Sequence, residues 1–198
     1  MALRVVPIKS KSDQQFSIIG NGRVDTQSAY ENITKKFVWG NFDKEKLFVD
    51  RSYAPSVQSH RFVLLRTAMA LVEQGKKKEA VDILDTYFKG FPNMNFTYDY
   101  NSFYLITTYV QADAYDKAKP HLETLAKNTI ENLKFYKSIG DEINNGFKQD
   151  YAINLRTMKD MIDLVKRAGD TNYAQQLEKD FEPYDITKDM KGLQQLQQ

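Results

Sequence analysis

The side chains able to do chemistry are few in this chain, and their spacing keeps them apart. The two histidines, His60 and His121, fall in different segments. Neither has a second histidine or carboxylate at i+3 or i+4, the spacing that sets two metal ligands on one helix face; Glu123 stands at i+2 from His121. Ordinary surface or half-buried histidines are therefore expected, and no metal. The chain has no cysteine, which excludes disulfides, thiolate metal sites and a cysteine nucleophile together. No G-x-S-x-G elbow, Walker loop or G-x-G-x-x-G occurs, and Gly20-Asn21-Gly22 reads as a turn. Asp141-Glu142 and Asp160/Asp163 are carboxylate pairs, but they sit where helix ends and solvated faces put them. An acid–base couple needs a pocket that splits the two pKa values. This chain is expected to be non-catalytic and to carry no cofactor.

Two surface features could bind a partner. Lys76-Lys77-Lys78 is a basic run in an inter-helix turn with Glu79 following, and reads as a solvated loop. The stretch Phe96 to Tyr109, FTYDYNSFYLITTY, places aromatics all round a helix. One reading makes Tyr98, Tyr100, Phe103 and Tyr104 an exposed platform for a peptide or a sugar ring. The other, favoured here, sandwiches the helix between its neighbours and packs the entry loop on the first hairpin.

These residues belong to a chain of 198 residues, long enough for one domain with a real core. Its 41 % hydrophobic and 27 % charged residues suit a globular protein. A net charge of +2, with acids and bases mixed, argues against a nucleic-acid partner. The longest apolar run, Ala68 to Val72, falls far short of the roughly 20 residues a membrane helix needs, so no direct membrane insertion is expected. The start, MALRVVPIKS, lacks the apolar centre of a signal peptide.

The elements that must position everything are helices. The periodicity predicts them near 26–37, 55–74, 77–90, 98–112, 116–139, 147–168 and 171–182. Three stretches align internally: 71–84, 109–122 and 164–178. Each closes one amphipathic run at Gly75, Asp113 or Gly169, and five residues later places Ala80, Ala118 or Ala174 in the next. Glycine accepts the left-handed conformation that ends a helix, and alanine lets antiparallel helices approach. Leu64, Ala68, Leu71, Gly75, Ala80, Leu84 and Pro92 fit tetratricopeptide spacing. The second unit fits fairly, and the third less well, with Glu178 where a large apolar residue is usual. The expected fold is all-α: about three degenerate tetratricopeptide-like right-handed helical hairpins behind an irregular N-terminal extension.

The stretches ALRVVPI (2–8), GRVDTQSAYENITKKFVWGNFD (22–43) and LFVD (47–50) carry a resemblance. They resemble the region after the last membrane span in a family of multi-spanning bacterial proteins, common in Bacteroidetes. The membrane domain of that family, once a domain of unknown function, is similar to protein O-mannosyltransferases. Arg23, Asp25, Thr26, Tyr30, Phe37, Trp39, Gly40, Asn41 and Asp50 fit its pattern, as do residues 73–85, 98–100 and 133–139. The resemblance implies the extramembrane, tetratricopeptide-like tail of a membrane glycosyltransferase that uses lipid-linked sugar donors. It carries over no catalytic residue.

Three segments are expected: 1–50, irregular with one helix; 51–184, the helical repeats; and 185–198, a flexible or frayed tail. The expected role is to bind an acceptor polypeptide or partner, or to brace the membrane domain, on the periplasmic side of a bacterial inner membrane or else in the cytoplasm. The alternative is a self-contained adaptor that binds a peptide in a concave groove. Phe37 and Trp39 are expected to pack on the first hairpin, with Gly40 turning the chain.

Overall fold

The computed structural model describes residues 23–139 and 146–184. The Gly20-Asn21-Gly22 turn, the stretch 2–8, the Asp141-Glu142 pair and the tail from 185 onward lie outside the described residues. The described chain is all-α. Its helices are α1 (Thr26–Lys35), α2 (Ala54–Glu73), α3 (Lys77–Gly90), α4 (Tyr100–Gln111), α5 (Tyr115–Ile139), α6 (Lys148–Arg167) and α7 (Thr171–Phe181). Short 3-10 turns at Arg51–Tyr53 and Glu182–Tyr184 complete them.

Side chains with acceptor oxygens start several of these helices, because the first backbone N–H groups have no partner within the helix. Asp25 accepts from Ser28 N at 3.1 Å, and Asp170 from Tyr173 N at 3.1 Å. At α4, Asp99 and Ser102 form a reciprocal capping box, so that helix starts two residues later than the periodicity predicts.

Three hairpins, α2–α3, α4–α5 and α6–α7, close in the same way. Gly75, Asp113 and Gly169 adopt φ of 74°, 60° and 86°. In each case the residue after the turn donates back across it, from Lys76 N to Leu71 O, Ala114 N to Tyr109 O and Asp170 N to Val165 O. The left-handed residue itself donates to Val72, Val110 or Lys166 O. This is the Schellman closure, which satisfies carbonyls a helix end would otherwise orphan. A Cβ added at Gly75 or Gly169 would meet nothing within 4 Å, so only backbone strain opposes alanine there. Gly75→Ala and Gly169→Ala are each expected to lower stability by about 1 kcal/mol. Chemical denaturation of the two single variants and the double variant checks this, with near-additive losses expected.

Five positions after each turn, Ala80, Ala118 and Ala174 are 0 %, 0 % and 1 % exposed. Larger side chains there would force the paired helices apart. Around them lies a continuous core that includes Leu64, Leu71, Ile83, Leu105, Leu122 and Leu133. In the third hairpin Leu177 and Phe181 fill the core, while Glu178 pairs with Lys166 at 2.6 Å. The third hairpin thus keeps the apolar positions three and seven after the alanine, filled in the first by Ile83 and Tyr87, and gives the fourth to an ion pair.

The hairpins stack into two layers. Helices α2, α4 and α6 pack side by side, and each hairpin's second helix lies behind its first. Helices α3 and α5 barely meet; α2, α4 and α6, the first helices of the hairpins, are called the inner helices here, and α3, α5 and α7 the outer ones. Helix α1 lies across α2 and α3, held by Thr26 Oγ1 to Gln74 Oε1 (2.9 Å) and Tyr30 Oη to Asp82 Oδ2 (2.8 Å).

The segment between α1 and α2 is strapped to the end of α3 and the loop after it. Asn95 Nδ2 donates to Phe42 O and Glu45 O, both 2.7 Å, and Asn95 Oδ1 accepts from Leu47 N at 2.7 Å. Trp39 packs edge-on to Phe91 at 5.3 Å and lies against Gly90. Phe37 behaves differently: it is 41 % exposed and meets the edge of Trp39 at 5.7 Å. Helix α1 ends at Lys35, two residues short of the predicted boundary, and this leaves Phe37 outside the helix. Gly40 has φ of 64° and Asn41 φ of 62°, which reverses the chain.

A Cβ at Gly90 would sit 2.8 Å from Trp39 Cδ2 and 3.0 Å from its Cγ. These atoms are close to the Trp39 backbone, so the ring cannot simply swing its far end away. Gly90→Ala should push Trp39 off α3 and shift its fluorescence to the red. The lost packing, about 1–2 kcal/mol, is partly offset by alanine's better helix propensity.

Candidate docking face of the inner helices

Counting back from the three left-handed residues, the same positions fall on one stripe of each inner helix. Helix α2 presents Phe62, Arg66, Met69 and Glu73 there; α4 presents Tyr100, Tyr104, Thr107 and Gln111; α6 presents Arg156, Asp160, Asp163 and Arg167. Each set follows i, i+4, i+7 and i+11, the spacing of a single helical stripe. All twelve residues are half-buried or exposed in helices whose other faces are packed. The chemistry changes along the array: two apolar and two charged side chains on α2, three hydroxyl-bearing ones on α4, four charged ones on α6.

Across α4 and α6 the stripe is organised. Tyr104 Oη donates to Tyr100 Oη at 3.0 Å, and Tyr100 Oη donates to Asp160 Oδ2 at 3.3 Å. The Arg156 guanidinium lies over the Tyr100 ring at 5.5 Å, with its Nε 3.5 Å from Asp160. Burial, the Tyr104 hydroxyl and Asp160 hold the Tyr100 phenol well above its usual range, so it stays a neutral donor. Beside it a shallow hollow of about 460 Å³ is lined by Phe103, Asp160, Asp163, Lys166 and Arg167. A second, of about 480 Å³, opens between α6 and α7.

The four aromatics singled out in the sequence therefore divide. Tyr100 and Tyr104 lie on the stripe. Phe103 is 7 % exposed, at the floor of the hollow. Tyr98 is 6 % exposed and belongs to the core rather than to a surface platform. It packs on Phe88 at 5.3 Å, because the chain before α4 runs back over the end of the first hairpin. Lys77, from the basic run, pairs with Asp113 in the next turn.

His121 stacks on Phe88 with ring centroids 3.7 Å apart, and Tyr98 Oη lies 3.4 Å from its Nδ1. Burial pushes its pKa down to about 4, which makes it a neutral packing group at pH 7. His60 stands 6.4 Å from the Trp39 ring and is bonded to Ser56 O at 2.7 Å through Nδ1. Among the described residues, no three His, Asp or Glu side chains cluster as a metal site would require. Among the same residues, no helix is long and apolar enough to cross a membrane.

One polar group escapes sequence reasoning altogether. Arg61 is 6 % exposed in α2. Its Nε donates to Tyr87 Oη at 2.8 Å, and one terminal nitrogen donates to both Asp99 oxygens at 2.9 and 3.0 Å. Burial opposes the Arg61 charge, but Tyr87 and Asp99 more than compensate, and the guanidinium is held above its usual value. One side chain thereby ties α2, α3 and the cap of α4. Among the described residues, no buried side-chain nitrogen or oxygen lacks a hydrogen-bond partner.

Compared with family models, with characterised proteins and with solved structures, the chain finds no match in any of the three.

Proposed function

We propose that this chain is a non-catalytic docking module, built from three tetratricopeptide-like hairpins, that binds a polypeptide on the face of α2, α4 and α6. The observation that carries this reading is the aligned stripe: three identically closed hairpins repeat the same positions on α2, α4 and α6, which pack side by side. Helical arrays of this kind offer an extended surface rather than an enclosed cavity, which suits a chain-like ligand. The two shallow hollows agree with such a surface.

In the fuller form of the proposal the module is the extramembrane part of a membrane glycosyltransferase-like protein. It would brace the membrane domain or hold an acceptor polypeptide, on the periplasmic side. This part rests on the resemblance of residues 22–50, and the strap that fixes those residues to α3 gives them a structural reason to be there. The alternative, an independent adaptor, uses the same face. An upstream reading frame encoding several membrane spans supports the first form, and one without them supports the second.

A photo-crosslinking amino acid tests the docking face directly. Placed at Arg156, whose side chain is 70 % exposed on the stripe, it is expected to trap a polypeptide in the native cell. Placed at exposed Lys134, on outer helix α5, it is expected to trap none. Adducts from Lys134 alone would refute the assignment of the face.

A further inference from the structure

We propose that the strap between α1 and α2, residues 35–48, rests on an anionic lipid surface, with no helix entering the bilayer. The antiparallel hairpins give the array two ends. One carries the turns at Gly75, Asp113 and Gly169. The other carries the strap, the starts of α2, α4 and α6, and the ends of α3, α5 and α7. Phe37, Val38, Leu47, Phe48, Phe135 and Phe147 are exposed at this second end. Among the described residues, no large hydrophobic is exposed at the turn end. Val38 and Phe48 stand out furthest, each 90 % exposed.

These two side chains are held outward. Trp39 and Val49, their neighbours in sequence, turn onto the core, and Asn95 ties the backbone between them at Phe42, Glu45 and Leu47. Each projects singly from a loop, outside both hollows. A lipid layer takes such projections without a matching pocket, whereas a protein partner needs shape complementarity. Lysines precede both: Lys35 and Lys36 before Phe37-Val38, Lys44 and Lys46 before Leu47-Phe48. All four are exposed and, unlike Lys77, Lys117, Lys119 and Lys166, enter no ion pair among the described residues. Within 35–48 only Asp43 and Glu45 oppose them, so two positive charges remain, as many as the net charge of the entire chain. Lysine stems lie along apolar surface while their ammonium groups stay at the level of the lipid phosphates.

The chain has no cysteine, so a single labelling site can be placed at will. Phe48→Cys carrying an environment-sensitive fluorophore is expected to shift to the blue with equimolar phosphatidylcholine–phosphatidylglycerol vesicles. The same label on Lys76→Cys, at the turn end, is expected not to shift. Co-sedimentation of the full chain with these vesicles should weaken about tenfold in Val38→Ser/Phe48→Ser and about thirtyfold in Lys44→Gln/Lys46→Gln. Rising salt, or vesicles of phosphatidylcholine alone, should weaken it too. No binding to the anionic vesicles, or binding that survives both double variants, would overturn the proposal. Equal binding to both vesicle types would overturn the need for anionic lipid. A photo-crosslinker at Phe48 that traps a polypeptide in the native cell, with vesicles left unbound, would assign the strap to a protein instead. The inner-helix stripe takes no part in this surface, so failure here leaves the docking reading standing. Circular dichroism of each variant excludes unfolding as the cause.

Discussion

Arg61→Ala should destabilise the protein by about 3 kcal/mol, the largest loss expected from any single polar substitution. The alanine leaves a cavity between α2 and α3. It also removes the donor to Tyr87 and strips Asp99 of the charge that faces it. Asp99 is half exposed, 49 % by side chain, so water can partly replace the lost cation. For that reason the loss falls at the low end for a broken buried pair. Arg61→Met separates the two contributions. It restores most of the volume, and its cost should fall to about 1 kcal/mol, because burying a charge is itself expensive. A shift of the urea midpoint at unchanged slope would report both variants. Near-equal losses for the two would mean that the hydrogen bonds, not the packing, dominate.

Acid should weaken the fold through His121. Its pKa is depressed from 6.5 to about 4 in the native state by burial against Phe88 and Tyr109. The groups facing it are Asp85 on α3, which raises its pKa, the Tyr98 hydroxyl from the chain before α4, and Tyr109 on α4. Between pH 6.5 and 4 the unfolded chain binds a proton that the folded chain refuses, so stability falls as pH falls through this window. Discounted for a half-buried ring, the loss is roughly 2 kcal/mol. His121→Phe keeps the stack and should flatten the pH dependence relative to wild type. Carboxylates such as Asp170, whose pKa is lowered by Lys119, the Tyr173 amide and Tyr115, also lose stabilisation in acid. The informative quantity is therefore the difference between the two proteins, measured at pH 7 and pH 4.5.

What the sequence makes legible is whatever depends on near neighbours. The Gly75, Asp113 and Gly169 turns and the alanines five residues later are local patterns, and the helices they close lie within about two residues of the periodic ones. The second turn shows the limit: Asp113 takes the left-handed conformation without being glycine, and only its place in the pattern marks it. Arg61 was illegible because its partners stand 26 and 38 positions away. A lone arginine in a helix reads as a surface charge until those partners are known. Tyr98 misleads in the opposite direction. Neighbouring Tyr100 and Tyr104 share its type, and only the path of the chain before α4 decides which ring goes inside.

The Arg61 tie also governs the order in which the molecule comes apart. It joins the first hairpin to the second through a buried guanidinium, whereas the side-chain polar links between the second and third, such as Lys119 to Asp170 and Tyr100 to Asp160, are more accessible. Amide hydrogens of α6 and α7 should therefore exchange with deuterium before those of α2 to α4, as a separate cooperative opening of lower free energy. The half of the proposed docking face with the most charge would then also be the half that yields first. A ligand bound there would register as slowed exchange at the carboxyl-terminal hairpin, long before global unfolding changed.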